Sequence, residues 1–173
     1  MRCGAWVRAS TDPFTNAAMN LLFRMLWVWL ISLRRERLPV GVAESRLHLI
    51  TLPNDLDLNL HMNNGRYLTI ADLSRIDLFL RTGLASVMRK EKWAPIISEH
   101  TMIYRHSLRL FQRFEAVMQL THWDDRCFYM SHKFLVGERV VAEGTSAGVI
   151  RGRDGVIAPE RVLERLRVER RST

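Results

Sequence analysis

The sequence predicts an α+β domain in which a curved antiparallel sheet wraps around one long helix, preceded by an extra apolar helix. Three observations predict it. One long helical segment stands between turn signals at Asn63 and Gly83. Strand-like segments follow it, with short turns between the last three. So few elements cannot cover a sheet on both faces, so the sheet must curl around the helix and leave an edge that a second copy can pair. At 173 residues the chain suits one packed core and is too small for two ordinary ones.

The apolar fraction of 47% and charged fraction of 25% are those of a globular chain. The 26 basic against 18 acidic residues leave a formal charge of +8, a bias towards anionic partners. The same excess also serves as a solvated face, and the arginine-rich tail carries no zinc-finger or RNA-recognition signature, so no nucleic-acid partner is expected. Cys3 and Cys127 form no CxxC or Cys/His spacing, which excludes a disulfide framework and a structural metal site from the expectation.

The stretch before Ala17 has no clear periodicity, and Met19 is a second candidate start. From Ala17 to Leu33 the chain is strongly apolar, interrupted by Asn20 and Arg24. A spanning helix needs about 20 apolar residues, and a central Arg costs roughly 2.5–3.5 kcal/mol on insertion, so a span is not expected. No small-residue cleavage site follows at a suitable distance for a secretory signal. Asn16, Asn20 and Arg24 recur every four residues as a polar stripe on a greasy helix. Trp27 and Trp29, followed by Arg34, Arg35 and Arg37, suit a membrane interface, so residues 17–37 read either as a peripheral membrane contact or as a helix packed on protein. Residues 1–43 are therefore expected as an N-terminal extension and 44–173 as the domain.

Leu38-Pro39-Val40-Gly41 ends the apolar helix. Ser45 to Leu52 alternates as a first strand, broken by Pro53-Asn54-Asp55. Asn63-Asn64-Gly65 supplies capping chemistry for the long helix, which Gly83 stops. Four strands are expected over Ile96–Leu108, Arg113–Trp123, Arg126–Val136 and Arg139–Ile150, with turns at Asp124-Asp125 and Gly137-Glu138. Pro159 opens a short charged helix.

The densest chemistry lies between the first strand and the long helix, where Asp55, Asp57, Asn59, His61, Asn63 and Asn64 fall between two apolar elements. A helix N-terminus offers free N–H groups and partial positive charge, an oxyanion site. A carboxylate beside it can act as general base on water or attack a carbonyl. Each residue also has a structural reading: Asp55 as a turn former after Pro53, Asn63 and Asn64 as caps, His61 as a hydrogen-bonded support. The residues alone leave both readings open.

The segment DLDLNLHMNNGRYL, followed by TIADLSR, resembles the 4-hydroxybenzoyl-CoA thioesterase-like branch of the hotdog superfamily, whose motif runs D-x-D-x-x-G-H-V-N-N-x-x-Y-L. Within it the likeness is greatest to the thioesterase superfamily member six group, which shares an apolar N-terminal helix. The likeness covers about Ser45 to Ile150, with only the helix-entry motif specific. It implies a hotdog-fold acyl-CoA thioesterase working as a homodimer or homotetramer, without metal or cofactor, coenzyme A being part of the substrate. It puts the catalytic carboxylate on Asp57 and the carbonyl-polarising amide at Asn64 or Gly65, with His61 beside them. Asn63, Tyr67 and Asp72 fall to substrate binding, and Arg109 and Arg113 to the phosphates of coenzyme A. Two positions depart from the motif: Leu60 replaces a glycine and Asp72 a glutamate. A non-catalytic, membrane-associated protein binding acyl chains or acyl-CoA is the rival reading. The expected location is cytoplasmic, with or without membrane contact.

Overall fold

The computed structural model describes residues 13–39 and 44–171, with side chains from 21 onward in the first segment and to 167 in the second. Residues 1–12, Cys3 among them, and the Val40-Gly41 break lie outside the described residues, whereas residues 13–16 of the stretch without periodicity are helical. The element order is α1 (Pro13–Arg34), β1 (Ser45–Ile50), α2 (Asn64–Thr82), α3 (Leu84–Glu91), β2 (Ala94–Tyr104), β3 (Arg113–Trp123), β4 (Phe128–Val136), β5 (Arg139–Gly152), β6 (Gly155–Ile157) and α4 (Pro159–Arg171). The expected architecture is present: an antiparallel sheet in the order β1-β3-β4-β5-β2, with β6 added to β5, curls around α2.

The alternation of each strand sets the register. Leu47 and Leu49 of β1 stand opposite Ala116 and Phe114 of β3, and Ala116 in turn faces Phe134 of β4. These inward residues meet Tyr67, Ile70, Ala71, Leu73 and Leu78 of α2 in one core. Irregularities at Ile97/Glu99, Leu120/His122 and Phe134/Leu135 interrupt three of the ladders, the device by which a flat ladder bends. Strand β2 forms one edge of the sheet and exposes Ile96, Ile103 and Tyr104.

Two short elements go beyond the sequence expectations. Helix α3 follows α2 at once, because Gly83 takes a left-handed φ of 86° and redirects the chain without ending helicity for long. Its Met88 joins Phe128, Ile150 and Val162 in a second cluster that seats α4. Strand β6 is too short to show an alternation.

Helix α1 packs on α2. Arg24, the member of the polar stripe whose side chain is described, points inward and is buried against Asp55. Val28, one turn on, is completely buried in the main core. Ser32 donates to Asp77 Oδ1 at 2.7 Å, and Arg35 reaches the same oxygen at 3.4 Å. Asp77 is wholly buried and also accepts from Ser45 and, at 3.3 Å, from Arg81. Because one carboxylate holds α1, α2 and β1 together, Asp77→Ala should lower unfolding free energy by about 3–5 kcal/mol, leaving Arg81 buried without its counter-ion. A urea midpoint within error of the parent would contradict this role.

Candidate active site

At the end of β1, Thr51 N–H donates to Gln112 O at 3.0 Å, and Pro53–Asp55 makes a single 3-10 turn. Asp55 is more than the turn former its sequence context suggests. Its carboxylate is fully buried and accepts from Arg24 at 2.7 and 3.1 Å, from Arg66 at 2.9 and 3.0 Å and from Leu52 N–H at 2.8 Å. Its carbonyl accepts from Asn63 N–H at 2.8 Å.

The loop that follows is closed at its base. Leu56 bridges Met62, and Asp57 N–H donates to His61 O at 2.8 Å. Asp57 Oδ1 accepts from Asn59 N–H at 2.8 Å and from His61 N–H at 3.3 Å, an Asx turn. Among the described residues Oδ2 has no hydrogen-bond partner. Leu60, standing where the motif has glycine, adopts the left-handed φ of 57°. The turn is thus retained at a cost of about 1–2 kcal/mol for a non-glycine residue.

Asn63 caps α2, accepting from Gly65 N–H at 2.8 Å through Oδ1 and from Arg66 N–H at 2.9 Å through its carbonyl. Gly65 N–H is therefore engaged, whereas Asn64 N–H has no acceptor among the described residues. Tyr104 OH donates to Asn64 O at 3.0 Å and fixes that peptide from the β2 side. Tyr67 is only 2% exposed: its ring packs edge-on against Tyr104 and Phe134, and burial raises its hydroxyl pKa. It supports the site from within the core.

His61 bridges Arg109, and both line a cleft of about 640 Å³ with His106, Ser107, Gln112 and Arg139. No carboxylate lines it, so its electrostatic sense is cationic. Arg139 and His106 escaped sequence reasoning: Arg139 sits on β5, which only the curl of the sheet brings to Arg109, and His106, three residues before Arg109 in the same loop, carries no motif. Arg113 does not join them. It lies on a separate groove of about 730 Å³ with Trp27, Leu49, Ile50 and Phe114.

Asp72 lies two turns along α2, exposed and paired with buried Arg75. Arg75 reaches Ser146 Oγ at 3.4 Å. Nearby, His132 Nε2 and His100 Nε2 stand 3.2 Å apart. Arg75 Nε and His132 Nδ1 are buried without a hydrogen-bond partner among the described residues. The inward phase of β4, which runs Phe128, Met130, His132, Phe134, is the signal that placed His132 here. Burial first, and the neighbouring His100 second, hold its pKa down to about 4. The unfolded chain then binds a proton that the folded chain excludes, so stability is complete above pH 6.5 and falls as pH drops towards 4. Thermal melts from pH 7 to 4 should show this decline, flattened in His132→Gln; an equal slope in both would exclude His132 as its source.

The model of the thioesterase-like superfamily matches residues 51–166. Protein THEM6 of Xenopus laevis is 33% identical over 165 residues, covering 87% of this chain and 78% of the relative. Protein THEM6 of Danio rerio is 32% identical over 143 residues, covering 82% and 69%. Among solved structures, the probable thioesterase YbaW of Escherichia coli superposes with a TM-score of 0.65 at 20% identity, over 70% of this chain and 98% of that one. The gentisyl-coenzyme A thioesterase BH1999 gives 0.62 at 18% identity, over 69% and 98%. At these identities the structural likeness speaks to the fold.

Proposed function

The chain belongs to the thioesterase-like superfamily, and we propose that it hydrolyses acyl-CoA thioesters at the entrance to α2. The observation that carries the reading is the half-buried Asp57 carboxylate, with one oxygen holding its loop and the other unengaged, in the loop that leads into a helix N-terminus with an open amide and whose His61 lines a cationic cleft. The thioester carbonyl oxygen takes the Asn64 N–H, where the helix dipole favours developing negative charge. Asp57 either removes a proton from the attacking water or adds to the carbonyl itself. In the first route the water oxygen stays on the acyl carbon; in the second, water hydrolyses the acyl–Asp57 anhydride and restores the carboxylate. In both the C–S bond breaks and the thiolate takes up a water-derived proton, so that the products are the free acid and coenzyme A. Arg109, Arg139 and His106 receive its phosphates, with Arg offering fork-shaped donors to them. Arg113, on the other groove, is left out of this contact, and Asp72 takes no part in the chemical step. A second copy pairing along β2 forms the working dimer.

Asp57→Asn tests the reading sharply, because the amide retains an Oδ1 to accept from Asn59 and His61 while losing the charge. Thiol release from an acyl-CoA panel should fall by about 10²-fold or more, with acyl-CoA binding and Tm little changed. Retention of most of the rate by the variant would remove Asp57 from the mechanism. Binding without thiol release in the parent protein would favour the non-catalytic acyl-CoA binder.

A second reading, contact with a lipid surface, rests on the outward face of α1. Leu22, Phe23, Met25, Leu26, Trp27, Trp29, Leu30 and Leu33 are each 39–67% exposed on one helix. Arg34 ends the helix, and Arg35 and Arg37 follow it. Exposed apolar surface of this extent, with cations beside it, fits the boundary between acyl chains and anionic headgroups. No helix among the described residues is long and apolar enough to cross a membrane. Phe23→Glu combined with Trp27→Glu should abolish sedimentation with anionic phospholipid vesicles and leave Tm unchanged; undiminished sedimentation would place any lipid contact elsewhere.

A further inference from the structure

Arg24 lies outside the sheet-and-helix unit that carries the proposed chemistry, yet its guanidinium ends two residues from Asp57. Nη1 and Nη2 grip the two oxygens of Asp55 at 3.1 and 2.7 Å, and Nη2 also donates to Ile50 O at 2.8 Å. Arg66, in the first turn of α2, holds the same carboxylate from the other side. Asp55 O meanwhile accepts from the N–H of Asn63, the residue that caps α2. The ends of the 56–62 loop are thus tied through one residue to the end of β1, to the first turn of α2 and to α1.

We propose that Arg24 and Asp55 are positioning residues for the thioesterase site, so that α1 is part of its frame and not an accessory to it. The proposal rests on the thioesterase reading for its effect on rate, but not for its effect on the loop. With Arg24 absent, the buried Asp55 carboxylate keeps only Arg66 as a charged partner and must turn or take up water. Either movement acts on Asn63 N–H, hence on the cap of α2 and the Asn64 amide, and on Asp57 two residues away. A reacting geometry is sensitive to displacements of about 1 Å. The second tie of α1, Ser32 to Asp77, is made well away from this loop, at the C-terminal half of α2 and the start of β1. It secures the same helix without touching the site, and so separates positioning from mere attachment.

Full-length protein carrying Arg24→Met, Arg24→Lys or Ser32→Ala should be compared with the parent well below the lowest Tm. Arg24→Met should lower kcat for an acyl-CoA about tenfold or more with KM changed less than threefold, and Arg24→Lys should recover part of that loss. Ser32→Ala should lower Tm yet hold kcat within twofold. Hydrogen exchange supplies a readout independent of turnover: amides of residues 56–66 should exchange about tenfold faster in Arg24→Met and remain at the parent rate in Ser32→Ala. Unchanged exchange there in Arg24→Met overturns the proposal, as does a kcat loss common to Arg24→Met and Ser32→Ala. A parent protein that hydrolyses no acyl-CoA would defeat the thioesterase reading alone, since the exchange comparison still decides whether Arg24 sets the loop.

Discussion

The buried carboxylate of Asp55 is the constraint on which the local architecture depends. A wholly buried charge must be neutralised and hydrogen-bonded, and Asp55 satisfies both needs only by drawing Arg24, Arg66 and the Leu52 amide to one point. Those donors come from α1, α2 and the end of β1. Once they converge, the direction of the chain through loop 56–62 is set, because Asp55 O also holds the cap residue Asn63. The loop therefore has fixed ends while its tip remains open to solvent.

Asp77 repeats the device at the other end of the contact between α1 and α2, with Ser32, Ser45 and Arg81 as donors. Together the two carboxylates explain why a helix so rich in large apolar side chains presents many of them outward. Arg24 and Ser32 lie eight residues apart with Val28 midway, on one face of the helix, and that face is recruited by buried acids. Phe23, Trp27 and Leu30 are turned to the outside as a consequence. The outward apolar surface thus follows from inward electrostatics.

Backbone strain is concentrated beside the same loop. Leu60 and Phe111 both hold left-handed φ values of 57°, and both are exposed. Phe111 N–H donates to Thr51 O at 2.9 Å, and His61 bridges Arg109 two residues earlier. One strained residue thus lies in the loop bearing Asp57 and the other in the neighbouring turn, which is bonded to Thr51 and, through Arg109, to His61. Strained residues persist where surrounding bonds over-determine the backbone, and these bonds belong to that kind.

Local pattern alone determined much of this protein: α2 between its Asn63 cap and Gly83, the strands with Asp124-Asp125 and Gly137-Glu138 between them, and the concentration of polar residues from Asp55 to Asn64. These were legible because alternation, capping and turn chemistry involve residues close in the chain, and because too few elements existed for any sheet other than a curled one. Tertiary structure alone decided which way α1 faces, that Asp55 is a buried hub, that Arg109 shares a cleft with Arg139 while Arg113 does not, and that His132 faces Arg75 and His100. Each depends on long-range pairing between charged or polar groups whose partners lie tens of residues away. Periodicity identifies a polar stripe, but whether that stripe meets water or a buried carboxylate depends on what the rest of the fold places opposite it.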